Sequence, residues 1–204
     1  QRENIDDVGF ISALIDAVAS QYAIDRKRIY VTGASNGAMM SFRLACELTD
    51  KVTAIGPVIG SMGENISKTC TPSRPVPVII IGGTGDPLVP WNGGHVHLFR
   101  KKLGRVLSFA ETTRSWVEHN GCSPNPASSW LPDVDPEDGT RIRKKVFGQC
   151  DQNVKVVLYE IMGGGHTWPG GSQYLPEWII GIVSKDMNAG EVIWDFFEGF
   201  SMQD

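Results

Sequence analysis

Long apolar runs are missing from this sequence. No stretch approaches the roughly 18 consecutive apolar residues that a membrane span requires, and the first ten residues lack the basic start and apolar centre of a signal peptide. An excess of one charge is also missing, since 19 basic and 23 acidic residues are interspersed and the formal net charge is −4. We therefore expect no membrane association and no nucleic-acid partner. The expected ligand is a small or neutral molecule.

Internal repeats and low-complexity linkers are absent as well. With 204 residues, 41% hydrophobic and 21% charged, the composition is that of one globular domain over residues 1–204. Residues 122–152 are rich in Pro, Asp and Ser and are expected to form a long excursion that contains a hairpin. The four cysteines are an even number. By themselves they favour an oxidising compartment only slightly.

Helical periodicity alternates with short apolar runs along the chain. The spacing predicts a helix over residues 6–22 whose inward face carries Val8, Ile11, Ile15, Val18 and Tyr22. Residues 97–121 are predicted to be mostly helical with a break near Gly104, and a closing helix is predicted over "AGEVIWDFFEGF". Buried strands are predicted at "RIYVTGAS", "VTAIGPVIGS", "RPVPVIIIGGTGD" and "VKVVLYEIMGGGH". This alternation predicts an α/β fold with a mostly parallel sheet, which binds ligands beyond the carboxyl ends of its strands.

Three of those strand ends carry reactive residues. Ser35 stands between two glycines in "TGASNGA", the sequence form of a nucleophile elbow, while Asp86 and His166 each follow another apolar run. A serine nucleophile needs an imidazole base, and the imidazole needs a carboxylate to orient it. The chain order Ser, Asp, His is that of α/β-hydrolases. We predict a catalytic triad, with the backbone N–H of Asn36 stabilising the oxyanion.

Several of these residues also fit other roles. Ser35 taken alone fits a helix N-cap equally well, and the catalytic interpretation depends on the two other strand ends. In the elbow, the strained turn and the close approach of helix and strand are expected to leave no room for a side chain at Gly33 or Gly37. Asp86 has rivals that also fit surface charges or turns: Asp133, Asp135, Asp138 and Asp186.

Metal and cofactor sites are not expected. His95 and His97 alternate in a way compatible with zinc, but no Cys or carboxylate stands at ligand spacing beside them. The glycine-rich stretches lack the lysine of a phosphate loop and the spacing of a dinucleotide fingerprint. The predicted chemistry requires neither a metal nor a cofactor.

Several motifs together resemble one family. The segments are "RIYVTGASNGAMMSFRLACEL", "RPVPVIIIGGTGDPLVPWNGG", "WVEHNGC", "LPDVDPEDGT" and "VVLYEIMGGGHTWPGG". From about residue 6 to the end, the chain resembles the polyhydroxybutyrate depolymerase and feruloyl esterase family of α/β-hydrolases. The resemblance implies Ser35 as nucleophile, Asp86 as acid and His166 as base. It also implies an extracellular or periplasmic location.

The resemblance also implies roles for cysteines and tryptophans. Cys122 is expected to pair with Cys150 and so to clip the excursion. Cys46 and Cys70 either form a second bridge or leave Cys46 as a buried free thiol. Trp91 and Trp168, near the acid and the base, line an acyl pocket or else pack in the core; both alternatives stay open.

Two departures from the family pattern stand out. Where the family usually has "HGT" before the acid, this chain has Gly82 and Gly83 ahead of Thr84, so a local hydrogen bond is expected to be missing. The family's first strands and the loop that supplies a second oxyanion donor have no counterpart here. We therefore expect the "RIYVT" strand to expose an edge, covered by a missing amino-terminal segment or by a second copy.

The predicted function is hydrolysis of feruloyl-type or polyhydroxyalkanoate-type esters, because that is what the resemblance implies. One alternative is a non-catalytic, truncated module that binds a carbohydrate or polyester surface. Another is a serine peptidase on the same scaffold. Both alternatives are separated from the esterase by kinetics rather than by sequence.

Overall fold

The computed structural model describes residues 5–98 and 101–202. Its helices and strands follow in chain order: α1 (Asp7–Gln21), β1 (Tyr30–Ala34), α2 (Asn36–Glu47), β2 (Ala54–Val58), α3 (Glu64–Ser67), β3 (Val78–Gly83), β4 (Gly94–Leu98), β5 (Lys101–Val106), α4 (Phe109–His119), β6 (Ala127–Trp130), β7 (Arg141–Phe147), β8 (Val156–Met162), α5 (Glu177–Ile180) and α6 (Ala189–Glu198). Among the helices of these described ranges, none has the length and apolarity of a membrane span.

A six-stranded sheet organises the fold, in the order β1-β2-β3-β8-β7-β6. The first four of these strands are parallel, and β7 is antiparallel to both of its neighbours. A separate hairpin joins β4 to β5. The predicted α/β class with a mostly parallel sheet is confirmed, and all four strands predicted from apolar runs are present.

The central strands are apolar because both of their faces are covered. Every residue of β2 and β3 is buried. One face packs against α2 and α4 through Phe42, Leu44 and Trp116, and the opposite face packs against α6 through Ile193 and Phe197. Burial on two sides fixes these strands in the middle of the molecule, so the residues that follow them are held at one edge of a rigid sheet.

The inward face predicted for α1 is only partly right. Val8 is buried and Ile11 and Ile15 are partly covered, but Val18 and Tyr22 are exposed. At 100° per residue, Val18 is about 80° around the helix from Val8, at the margin of the face. Tyr22 follows the last helical residue in an extended conformation, with φ −131° and ψ 146°, so it leaves that face altogether.

The helix predicted for residues 97–121 is wrong in its first half. Residues on both sides of Gly104 form the β4–β5 hairpin, and α4 starts only at Phe109. Its start is set by a capping box, in which Ser108 Oγ accepts from the Glu111 N–H and the Glu111 carboxylate accepts from the Ser108 N–H. Residues 99 and 100 of the predicted helix lie outside the described residues.

The excursion at residues 122–152 joins the main sheet. It contributes β6 and β7, which form the expected hairpin, and a disulfide joins Cys122 to Cys150 across 28 residues of sequence. A second disulfide joins Cys46 in α2 to Cys70. The pairing implied for the first two cysteines is therefore present, and the free-thiol alternative for Cys46 is wrong.

A paired carboxylate lies between the outer strands. Glu160 of β8 accepts from Arg143 Nε at 2.8 Å and lies 3.1 Å from Lys145 Nζ, both on β7. Burial alone would raise the pKa of Glu160, but the hydrogen bonds from Arg143 and Lys145 outweigh it and lower that pKa. The pair ties the excursion to the strand that precedes His166.

Candidate active site

The turn between β1 and α2 places Ser35 in a strained conformation. Its φ of 55° and ψ of −111° lie outside the regions that side-chain-bearing residues ordinarily adopt. The Ser35 N–H donates to the Val58 carbonyl at 3.0 Å, and the Ser35 carbonyl accepts from the Met39 N–H at 3.1 Å. The side chain makes no capping hydrogen bond to α2. Ser35 therefore occupies the N-cap position of α2, but its hydroxyl does not cap the helix.

Close backbone contacts hold this turn. A Cβ on Gly33 would lie 2.7 to 2.9 Å from the backbone of Gly37, and one on Gly60 would lie 2.7 Å from the Ser35 carbonyl oxygen. Neither position can carry a side chain without moving the turn. Gly37 itself has open space where its Cβ would be, so the expectation that it must lack a side chain is wrong. Sequence analysis missed Gly60, which follows β2 and meets the turn only in the folded chain.

Asp86 and His166 form a buried pair. Asp86 Oδ2 lies 2.7 Å from His166 Nδ1, and the side chains of Asp86 and His166 are only 1% and 7% exposed. The other carboxylate oxygen, Oδ1, accepts from the N–H groups of Leu88 at 2.7 Å and Val89 at 2.8 Å. Because the carboxylate acts as acceptor on both oxygens, Nδ1 carries a proton. The remaining nitrogen, Nε2, is then free to accept one.

The loop that carries His166 is fixed to the segment that follows it. Gly165 N–H donates to the Ile182 carbonyl at 2.8 Å, and Tyr174 Oη donates to the His166 carbonyl at 2.8 Å. Burial, together with the negative charge of Asp86, raises the pKa of Tyr174. Sequence analysis missed Tyr174, because nothing in the local pattern connects it to a residue eight positions earlier.

Ser35 lies at the same edge of the sheet as this pair. The strands β1, β3 and β8 run parallel, so the residues after their carboxyl ends share one edge. The structure brings Asp86 and His166 into contact, and within the described ranges it shows no hydrogen bond that joins Ser35 Oγ to the imidazole. Such bonds are often long in unliganded sites and tighten when substrate binds.

Asn36 is the first residue of α2, which has twelve residues. The N–H groups in the first turn of a helix have no acceptor within the helix, and the helix dipole makes this end partly positive. The backbone N–H of Asn36 is one of these first-turn donors.

The two predicted acyl-pocket tryptophans are half-buried. Trp91 stacks on Phe109 with ring centroids 4.5 Å apart and an interplanar angle of 10°. Trp168 packs against the core cluster that contains α6. A Cβ on Gly82 would overlap the Phe109 ring, so the glycine at this position lets the aromatic stack approach β3.

Two of the three remaining histidines, His95 and His119, have backbone partners for their rings. His95 Nδ1 lies 3.2 Å from the Leu103 carbonyl oxygen across the β4–β5 hairpin, and His119 Nε2 lies 3.1 Å from the Arg74 carbonyl oxygen. Within residues 5–98 and 101–202, no group of three or more His, Cys, Asp or Glu side chains is arranged to hold a metal.

Comparisons with known proteins identify the relatives of this chain. No family model matches it. Over 199 residues it is 29% identical to feruloyl esterase B of Piromyces equi. That alignment covers 97% of this chain and 32% of the esterase. It is 24% identical over 193 residues to the bifunctional acetylxylan esterase/xylanase XynS20E of Neocallimastix patriciarum, covering 90% of this chain and 25% of that protein. The chain is therefore similar in sequence to several proteins that are named feruloyl esterases.

The feruloyl esterase relatives are longer proteins. The chain spans between 25% and 57% of the length of the curated esterases that it matches, feruloyl esterases and others. Among solved structures, an acetyl xylan esterase from Aspergillus awamori matches 94% of this chain and 66% of that one, with a TM-score of 0.58 and 14% sequence identity. The fold is therefore α/β-hydrolase-like.

Proposed function

We propose that this chain hydrolyses carboxylic esters through Ser35, His166 and Asp86. The observation that carries the proposal is the buried Asp86–His166 pair, 2.7 Å apart, at the sheet edge where Ser35 occupies a strained turn. A buried carboxylate that orients an imidazole beside a serine at a sharp turn is the arrangement that acyl transfer needs. The esterase names of the relatives support the same reaction.

The first half of the reaction forms an acyl enzyme. Ser35 Oγ attacks the ester carbonyl carbon while His166 Nε2 takes the hydroxyl proton, and the Asn36 N–H donates to the oxyanion. Asp86 holds the Nδ1 proton and offsets the charge of the imidazolium. When the tetrahedral intermediate collapses, the C–O bond to the alcohol breaks and His166 gives its proton to the leaving oxygen.

The second half restores the enzyme. His166 Nε2 takes a proton from water as the water oxygen attacks the acyl carbon. Collapse breaks the bond to Ser35 Oγ, which recovers its proton from His166, and the carboxylic acid leaves. No metal or cofactor takes part in any of these steps.

The proposed substrate is an ester of a hydroxycinnamic or acetic acid with a plant polysaccharide. Its support is the names of the relatives, which specify feruloyl and acetylxylan esters. A polyhydroxyalkanoate ester is the competing acyl class. The two disulfides support an extracellular or periplasmic location, because disulfides persist in oxidising compartments. We further propose that residues 1–204 act as a single catalytic domain.

A non-catalytic binding module is the second candidate function. It is favoured by one observation, the lack of a hydrogen bond between Ser35 and the imidazole among the described residues. Rapid-mixing kinetics with p-nitrophenyl acetate separate the two functions. We expect the wild type to release nitrophenol in a burst of about one equivalent per chain, and Ser35→Ala to show no burst.

The matched control is Ser20→Ala, which removes an exposed serine hydroxyl from α1 and should keep the burst. A wild-type protein without burst or turnover would favour the binding module. Turnover of methyl ferulate compared with a hydroxybutyrate trimer and with a peptide anilide then decides the acyl class and tests the peptidase alternative.

A further inference from the structure

An open cavity lies beside the catalytic edge, outside the residues used above. Its volume is about 540 Å³, and it is lined by Trp130, Gly139, Arg141, Met162 and Gly163. Gly163 begins the glycine run that leads from β8 to His166. The proposed reaction gives none of these five residues a role.

The register of the outer strands places this cavity at the same sheet edge as His166. Arg141 pairs with Met162 at the carboxyl end of β8, and Trp130 pairs with Arg143 at the end of β6. Because β6 and β8 are both antiparallel to β7, their carboxyl ends point the same way. Two strand spacings separate them, about 10 Å. The cavity therefore opens at the sheet edge from which the chain continues to His166.

The aromatic ring in this cavity is open to solvent yet held in place. Trp130 is 51% exposed, and the guanidinium carbons of Arg141 and Arg143 lie 5.6 and 5.7 Å from its ring centroid. Contacts of this kind stabilise a ring by cation–π attraction. An exposed tryptophan fixed in one orientation offers a flat apolar surface at small entropic cost.

The two arginines differ in how many of their N–H donors remain available to a ligand. Arg143 is occupied by Glu160. Arg141, whose side chain is 49% exposed, has one carboxylate near it within the described residues, Asp133 at 3.5 Å. Since a guanidinium carries five N–H donors, Arg141, which lies over the Trp130 ring, keeps donors for a ligand that contacts the same ring. Met162, 42% exposed, adds an apolar and adaptable surface.

We propose that this cavity binds a sugar ring of the polysaccharide that carries the ester. A sugar ring has apolar C–H groups on its faces and hydroxyl groups around its rim, so it matches a flat indole beside a guanidinium donor. One face stacks on Trp130, and Arg141 donates to hydroxyl oxygens. Because Gly139 and Gly163 have no side chains, the cavity is open enough for a polysaccharide chain to pass. The assignment of this ring to the cleaved ester rests on the proposed function.

Kinetics on paired substrates test the subsite. A feruloylated xylo-oligosaccharide and methyl ferulate share the acyl group, so the ratio of their kcat/KM values isolates the sugar contribution. We expect Trp130→Ala to lower that ratio about ten-fold or more, and Arg141→Gln to lower it several-fold. Trp194→Ala, which removes an exposed tryptophan from α6, is the matched control and should leave the ratio unchanged. A ratio within two-fold of the wild-type ratio for Trp130→Ala would overturn the proposal.

Direct binding keeps the subsite separate from the reaction. Calorimetric titration with xylohexaose should show binding to the wild type. The affinity of Trp130→Ala for xylohexaose should be about ten-fold or more lower, and the affinity of Trp130→Phe should lie between the two. If the wild type binds xylohexaose but cleaves neither ester, the proposed function fails and the subsite stands. If Trp130→Ala and the wild type bind xylohexaose equally, or neither binds it, the subsite is wrong. Thermal melting of each variant confirms that it is folded.

Discussion

Replacement of Asp86 by asparagine should invert the proton arrangement of His166. Asp86 Oδ1 accepts from two backbone N–H groups, those of Leu88 and Val89, at 2.7 and 2.8 Å. In Asp86→Asn the amide oxygen must keep this position, because turning the amide would set its NH₂ group against two donors. The NH₂ group then faces His166 Nδ1, which has to act as acceptor. The imidazole proton is forced onto Nε2, where it faces away from Asp86.

The size of the effect follows from this geometry. Turning the amide would leave two buried N–H groups unsatisfied, at about 1–3 kcal/mol each, so the inverted tautomer persists. An imidazole protonated on Nε2 cannot take the proton of Ser35. We expect kcat to fall about 10³- to 10⁴-fold, which corresponds to about 4–5.5 kcal/mol of transition-state stabilisation. The side chain keeps its shape, so the variant should fold.

Steady-state kinetics with methyl ferulate measure this loss. The matched control is Asp138→Asn, because Asp138 also accepts from two backbone N–H groups, those of Thr140 and Lys185, in the excursion and the segment that follows His166. This control should lower the free energy of unfolding while kcat stays within a few-fold of the wild-type value. An Asp86→Asn variant that retains a tenth or more of wild-type kcat would refute the reasoning.

Three further predictions concern stability. Glu160→Gln should lower the free energy of unfolding by about 1–3 kcal/mol at pH 7. Because the folded-state pKa of Glu160 is depressed, the extra stability of the wild type is present above about pH 4.5 and shrinks as pH falls through that pKa. Denaturant titrations from pH 3 to 7 measure this, and a constant difference in unfolding free energy between the two proteins would contradict it. Gly33→Ala should cost about 1–3 kcal/mol by thermal melting, whereas Gly37→Ala, with open space for its Cβ, should be neutral or stabilising; equal losses would count against the tight turn. Replacing Cys122 and Cys150 together by serine should cost about 3–4 kcal/mol, from the 28-residue separation that the bond closes, and an unchanged unfolding midpoint would show that the bond does not constrain the unfolded chain.

The parallel part of the sheet could be predicted because its strands are buried on both faces. Such strands require continuous apolar runs, and each run here ends at glycine where the chain turns. The β4–β5 hairpin could not be predicted in the same way. Its residues are partly exposed and polar, so their spacing is equally compatible with a helix, and the capping box at Ser108 is the signal that would have moved the helix start.

The candidate site was only partly accessible from sequence. Ser35, Asp86 and His166 could be named because each follows a strand in a recognisable order. Gly60 and Tyr174 could not, because each acts through a contact between segments that are distant or looped back on each other. The open space at Gly37 also could not be predicted from sequence. Gly33, where a Cβ would clash, and Gly37, where a Cβ would not, are both simply glycines of the same motif in the sequence.

The central claim is that Ser35 is a nucleophile activated by His166. Treatment with a fluorophosphonate, followed by mass spectrometry of the digested protein, tests it directly, because only an activated serine reacts rapidly with such a reagent. We expect one added phosphonyl group per chain, on the peptide that contains Ser35, and a loss of that labelling in His166→Ala, which leaves the serine in place. Labelling on another residue, or equal labelling in His166→Ala, would show that Ser35 is not a nucleophile activated by His166.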